Sequence, residues 1–292
     1  MERLQVQSAA GGAIDVELAG PPDGRPLLFH VGTPSAGHVY EPLVAMGAER
    51  GLRHISYSRP GYGRSERRAG RTVADCTEDV EAVLGELGVE RFFTVGWSGG
   101  GPHALACAAL LGERTIAAAT IAGVAPRDAP GLDWLAGMGE ENVAEFAAAE
   151  AGPDVLEDFL RDQRQGVLAA GGEEIAASLG QLLSPVDRDA LSGEFGDYLA
   201  ALFHDALEAE IWGWFDDDLA FIADWGFSLA AIDRPVAVWQ GSDDRMVPYA
   251  HGGWLAANVA GAQPRLLDGE GHLSILLGAY GRLLDDLVGL GG

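Results

Sequence analysis

Short continuous apolar runs and stretches of helical period follow one another along the chain, and their order is the first guide to its fold. Residues 4–7 and 13–18 read as an opening pair of strands joined by the turn signal SAAGG. PLLFHV (26–31) is a continuous apolar run, the pattern of a strand buried on both faces, and Gly32-Thr33-Pro34 breaks it. Residues 40–50 fit a helix, and HISYS (54–58) is a further strand closed by RPGYGRS (59–65). Over 72–88, Val73, Cys76, Val80, Val83, Leu84 and Leu87 recur at helical spacing, with Gly88 as the expected stop. A strand FFTVGW (92–97), an Ala- and Leu-rich helix (99–111) and a buried strand TIAAATIAG (115–123) follow.

This order predicts an α/β fold: a mostly parallel sheet with helices on both faces. The repeat breaks at about residue 126. From there to 230 the helical stretches GEENVAEFAAAE, DVLEDFLRDQRQGVLAA, EEIAASLGQLL and GDYLAALFHDALEAEIWGWF appear, with no convincing strand. The sheet pattern resumes at PVAVWQG (235–241), followed by a helix at 248–259, a strand at 264–268 and a last helix at about 273–289. The expected organisation is a core domain of residues 1–125 and 231–292, interrupted by a helical cap at 126–230.

Composition narrows the class. The 292 residues are 48% apolar and 22% charged, enough to bury a large core. No apolar run approaches the roughly 20 residues of a membrane span. The start of the chain has no basic region followed by an apolar stretch, so no signal peptide is expected. The net charge is −25, and every one of the 19 basic residues is Arg. Such a field repels phosphate backbones and acidic lipid, so neither nucleic acid nor a membrane is expected as a partner. Residues 127–230 hold 23 acidic and 4 basic residues, so most of the charge lies in the cap. Cys76 and Cys107 sit in helical patterns and read as buried free thiols of a cytoplasmic protein. No CxxC or His-x-x-x-His spacing suggests a metal site, and no cofactor is expected.

The sharpest chemical signal is Gly96-Trp97-Ser98-Gly99-Gly100, a G-x-S-x-G between a strand and a helix. A tight turn there exposes Ser98 at the carboxyl end of the sheet, beside the unpaired N–H groups of a helix start. A serine hydroxyl needs an adjacent base. Of seven histidines, His272 has the best position, in the loop DGEGHLS (268–274) between a strand and the last helix. His30 lies in a buried strand, His54 opens a strand, His103 packs in the helix after Ser98, and His251 reads as a surface residue of its helix. His38, in a loop, and His204, in the cap, are candidates for the pocket wall, as is Trp97 beside Ser98. The base needs an orienting carboxylate. Asp243 and Asp244 lie in the loop GSDDRMVP (241–248) at the carboxyl end of a strand, where open α/β sheets place their sites.

On these residues the chain resembles the α/β-hydrolase fold family with a helical cap, well over about 20–125 and 232–290 and by position and helical character across the cap. The order Ser98…Asp244…His272 matches the family's nucleophile, acid and base. The resemblance implies Ser98 as nucleophile, His272 of a G-x-G-H pattern as base, and Asp244 of a G-x-x-D-x-x-V-P pattern as acid. It also implies an oxyanion hole from the backbone N–H groups of Thr33 and Gly99. The family usually reads H-G-x-P at the first of these loops. This chain reads His30-Val31-Gly32-Thr33-Pro34, with Val31 in the usual His place. The segment SRPGYGRS resembles the family's R-G-x-G-x-S turn and reads as structural.

The function implied is a serine hydrolase cleaving a carboxylic ester, thioester, lactone or amide of a small, apolar, neutral substrate through an acyl-enzyme. Epoxide hydrolases and haloalkane dehalogenases of this fold carry Asp where this chain has Ser98, and the prolyl aminopeptidase branch reads G-G-S-W-G. An acyltransferase or perhydrolase with the same triad, and a non-catalytic ligand-binding protein on the same fold, are the alternatives. The expected partner is a small-molecule substrate, and the sequence leaves the oligomeric state open. More than half of the insertion's twelve aromatic residues are expected to form its own core rather than a pocket.

Overall fold

The computed structural model describes residues 1–9, 11–171, 174, 177, 179–191 and 193–291. Eight strands form one sheet in the order β1-β2-β4-β3-β5-β6-β7-β8. They are β1 (Glu2–Gln7), β2 (Ala13–Ala19), β3 (Arg25–His30), β4 (Leu52–Tyr57), β5 (Phe92–Trp97), β6 (Thr115–Ile121), β7 (Val236–Gly241) and β8 (Gln263–Leu267). The first three in spatial order pair antiparallel and the rest pair parallel. Every residue of β5 and of β7 is buried, as their unbroken apolar runs require of strands covered on both faces. The outermost strand, β1, buries only Val6.

Helices α1 (Glu41–Ala48), α2 (Cys76–Glu86), α3 (Gly101–Leu110), α9 (Tyr249–Asn258) and α10 (Ser274–Leu290) cover the sheet. Leu276, Tyr280, Leu283 and Leu287 of α10 pack with Leu27, Phe93, Val95 and Trp239 on one side. Leu105 and Leu255 pack with Val236 and Val238 on the other. Cys76 and Cys107 are both free and buried.

A helical insertion separates β6 from β7, with α4 (Glu140–Ala151), α5 (Pro153–Ala169), α6 (Pro185–Ala190), α7 (Glu194–Leu207) and α8 (Trp212–Ile222). Leu156, Leu160, Leu207, Ile211, Trp214 and Phe215 give it an apolar centre. Residues 173, 175, 176 and 178 of the helix expected over 173–183 lie outside the described residues; its end is a 3₁₀ turn at Gly180–Leu182. The helix expected from 72 begins at Cys76, because the Asp75 carboxylate accepts from the Thr72 N–H at 2.7 Å and holds residues 72–75 as a turn. No described helix is long and apolar enough to cross a membrane.

The topology sets the site. Strand order reverses about β3, with β4 on one side and β5 on the other, and His30 sits opposite Gly96 at the ends of the two strands. The loops after β3 and β5 therefore emerge side by side at the carboxyl edge, the place where ligands bind in open α/β sheets. The loops after β7 and β8 emerge as neighbours too, with Gly241 opposite Leu267.

Candidate active site

Ser98 follows β5 directly and has φ +56°, a left-handed conformation that a side chain adopts only when its surroundings hold it. The glycines around it let the turn close. A Cβ on Gly96 would lie 2.1 Å from the Gly100 carbonyl oxygen, and one on Gly100 would lie 2.1 Å from that of His30. The loop after β3 touches the turn, since a Cβ on Gly99 would lie 2.5 Å from Thr33 Oγ1.

His272 lies in the loop between β8 and α10, and its Nδ1 is 2.9 Å from Asp244 Oδ2. Asp244 is buried and fixed from several sides. Its Oδ1 accepts from the Met246 and Val247 N–H groups at 2.9 and 2.8 Å, and its Oδ2 accepts from Gln240 Nε2 at 2.9 Å. Asp243 is exposed, and its Oδ1 accepts from the neighbouring Ser242 hydroxyl at 2.8 Å. Of the two carboxylates, Asp244 is the one that lies against His272.

Electrostatics separate His272 from the four other buried histidines. Burial lowers the pKa of His30 well below the usual value, of His54 and His251 to about 4, and of His103 to about 3. Burial, the largest influence, also pulls His272 down. The Asp244 charge, the Asp244 hydrogen bond and the Asp187 charge together outweigh it and raise His272 above the usual value.

A cavity of about 160 Å³ lies between the sheet edge and the insertion. Ser98, Thr33, Gly99, Trp97 and His272 all line it, so five residues singled out from sequence meet in one place. The Trp97 ring stands 5.6 Å from that of His272, and its Nε1 donates to the His272 carbonyl at 3.3 Å. Five of the insertion's aromatics line the cavity: Phe146, Phe159, Phe203, Trp214 and Phe221.

Three expectations need correction. His38 does not line this cavity: it bridges Glu17 of β2 (3.2 Å) and Asp205 of α7 (2.7 Å), in a separate outer pocket, because the loop after Thr33 turns away toward β2. His204 is exposed on α7 beside Asp205 and Glu208, and its neighbour Phe203 takes the cavity face. His251 is buried, its ring nitrogens 3.1 Å from the Ala125 N–H and 2.8 Å from the Trp134 carbonyl, because the insertion packs over what sequence showed as a free helix face.

Two groups of residues escaped the sequence reading. The buried Asp187 of α6 reaches into the loop that carries His272. Its Oδ2 accepts from the His272 N–H at 3.0 Å and its Oδ1 from the N–H groups of Leu273 and Ser274 at 2.7 and 3.0 Å. It thereby caps α10 with a carboxylate, the charge favoured at a helix N-terminus. Its sequence signal is Ser184-Pro185-Val186-Asp187, an [ST]-x-x-[DE] helix start, which marks α6 but not the tie to His272. The second group is the buried Arg59 and Asp217. Arg59 donates to the Val31 and Gly32 carbonyls at 2.6 and 2.9 Å and to Thr33 Oγ1 at 3.0 Å, and it pairs with Asp217 of α8. Asp217 in turn accepts from Thr33 Oγ1 at 2.6 Å. The RPGYGRS turn thus braces the Thr33 loop and ties it to the insertion.

The chain belongs to the α/β hydrolase fold family, whose sequence profile matches residues 25–279. It is similar to a non-heme chloroperoxidase of Streptomyces lividans, 30% identical over 233 residues, which are 79% of this chain and 78% of that protein. Among solved structures it resembles a bromoperoxidase from Bacillus anthracis, with TM-score 0.74, 21% identity and 99% of each chain covered. It also resembles an esterase from Rhodococcus sp. ECU1013, with TM-score 0.69, 20% identity and coverage of 100% of this chain and 98% of that one.

Proposed function

We propose that this protein is a serine hydrolase that cleaves a small carboxylic ester or a related acyl compound with an apolar body. The observation that carries the reading is the strained Ser98 on the wall of the same cavity as an imidazole paired to a buried carboxylate. In this reading Ser98 Oγ attacks the substrate carbonyl while His272 Nε2 takes the hydroxyl proton. Asp244 holds the imidazole tautomer through Nδ1 and stabilises the imidazolium. The Thr33 and Gly99 N–H groups receive the developing oxyanion. The carbon–oxygen bond to the leaving group then breaks, and His272 returns the proton to the leaving oxygen. Water, deprotonated by the same imidazole, resolves the acyl-enzyme to acid and free Ser98. The mostly apolar lining of the cavity supports an apolar acyl or alcohol group.

The test is turnover of a series of p-nitrophenyl esters by the wild type and by Ser98→Ala. The reading expects loss of several orders of magnitude in kcat in the variant. Retention of more than about a tenth of the wild-type rate would overturn it. The chloroperoxidase relative supports a second outcome at the same intermediate. Hydrogen peroxide in water's place attacks the acyl carbonyl and leaves a peracid and free Ser98. Peracid formation from an ester and peroxide, absent in Ser98→Ala, tests it.

A further inference from the structure

Three consecutive aspartates of α8, Asp216, Asp217 and Asp218, are buried in a helix that otherwise reads as aromatic and aliphatic. Burying a carboxylate is costly unless a cation or several donors meet it. Asp216 meets Arg67 at 2.9 Å, and Asp217 meets Arg59 and Arg71. Among the described residues no Arg pairs with Asp218. It is 0% exposed, it lines the cavity, and neither of its oxygens receives a hydrogen bond from a described N–H or hydroxyl. The group it does face, and hydrogen-bonds with when one of the two holds a proton, is another carboxyl, that of Glu145 on α4, which also lines the cavity and accepts from Trp214 Nε1 at 2.8 Å. Glu141, one turn earlier on α4, adds a third acid to the wall. Among the described residues lining the cavity none is Arg, and the chain has no Lys.

Aromatic rings flank this acidic pair. Trp214 and Phe221 stand four residues before and three after Asp218 on α8, on the same helical face, and both line the cavity. Carboxylates among aromatic faces are the chemistry that receives an organic cation. Phe221 also fixes the reach. Its ring lies against the Ser98 turn, since a Cβ on Gly99 would lie 2.9 Å from Phe221 Cζ. Asp218 is therefore about one helical turn, roughly 5 Å along the axis, from a residue that packs against Gly99, the neighbour of Ser98.

We propose that Asp218 and Glu145 form a subsite for an alkylammonium group carried by the substrate, a short chain away from the carbonyl that Ser98 attacks. The inference rests on the cavity being the acyl substrate's site, and it replaces the neutral substrate expected from sequence with a cationic one. In the empty cavity burial favours the protonated form of each member of the pair. Burial, above all, pushes Glu145 up to about 7, and burial with the Glu145 and Asp217 charges pushes Asp218 well above the usual carboxylate range, against the opposing pull of Arg71. The charged groups around the pair are thus Glu141 on α4, Asp217 on α8 and Arg71 before α2. The ammonium group displaces a proton held by the pair, so binding releases a proton and weakens as pH falls.

The experiment uses Ser98→Ala, so that binding is read without turnover. Calorimetry at pH 7.5 in two buffers of different ionisation enthalpy compares n-hexylammonium chloride with 1-hexanol. The proposal expects roughly tenfold or tighter binding of the ammonium, with proton release. It expects Asp218→Asn or Glu145→Gln, each checked for folding by circular dichroism, to erase the difference between the two probes. Equal affinity for the two probes, or a preference for the ammonium untouched by both substitutions, overturns it. Hydrolysis of matched neutral and ammonium-bearing esters by the wild type separates this inference from the hydrolase reading. Ammonium binding without hydrolysis of either ester upholds the subsite and sinks the hydrolase. Hydrolysis of the neutral ester without ammonium binding does the reverse.

Discussion

Asp187 offers a demanding test, because it acts on His272 from an element 85 residues away in sequence. Asp187→Asn keeps the side chain's shape, removes its charge and turns one acceptor into a donor. Oδ2 receives the His272 N–H and the Ser184 hydroxyl, while Oδ1 receives the N–H groups of Leu273 and Ser274. Whichever way the amide turns, its NH₂ faces at least one buried N–H. The loss of a charge-assisted hydrogen bond costs about 1.5–3 kcal/mol, and the lost charge at the N-terminus of α10 adds up to about 1–2 kcal/mol. A total near 3 kcal/mol lowers Tm by roughly 6–12 °C in a chain of this size. A second readout separates position from stability. The Asp187 charge helps to raise the His272 pKa, so its removal favours the neutral imidazole and moves the acidic limb of kcat/KM to lower pH. Thermal unfolding by circular dichroism and the pH profile on an activated ester are the two assays. A Tm within about 1 °C of wild type, together with an unmoved limb, refutes the reasoning.

The remaining predictions concern the other parts of the site. Asp244→Asn lowers kcat on the order of 10⁴-fold, while the exposed Asp243→Asn changes it by less than about threefold; equal losses in ester turnover would contradict the assignment. In the wild type, kcat/KM rises as His272 loses its proton, with a midpoint above the unperturbed value of about 6.5 because the folded pKa is raised; a midpoint below 6 contradicts this. Arg59→Met removes three anchors of the Val31–Thr33 loop and one cation from buried Asp217, costing about 3–5 kcal/mol; a loss under about 1 kcal/mol in denaturant unfolding would show that Arg71 alone suffices for Asp217.

Local signals made the parallel sheet and the strand ends that carry Ser98, Asp244 and His272 legible. Ser98, Asp244 and His272 each follow a short apolar run, and strand ends at one edge of a parallel sheet converge whatever the sequence between them. The acidic pair Asp243-Asp244 was ambiguous by spacing alone and is resolved by burial. The insertion was legible only as helix. Which faces of its helices point at the sheet depends on packing between distant segments, and no local period encodes that. His251 reads as a surface residue for this reason, while the face of α9 that it occupies is covered by Trp134 and Ala125. The segments of His38 and His204 suggest the pocket wall, yet a single residue's shift on α7 puts Phe203 inside and His204 in solvent. The run Asp216-Asp217-Asp218 between WGWF and LAFI did carry a signal. Carboxylates inside an apolar helix require partners, and Arg59, Arg67 and Arg71 come from the loop after β4.

The central claim, that Ser98 is an activated nucleophile, is tested most directly by a fluorophosphonate, which needs a deprotonated serine oxygen and no knowledge of the substrate. Intact-mass measurement after labelling, followed by peptide mapping, reads both stoichiometry and position. The account predicts one adduct per chain, on Ser98, that is lost in Ser98→Ala and slowed by orders of magnitude in Asp244→Asn. An unlabelled wild-type protein, or an adduct on any other residue, would contradict it.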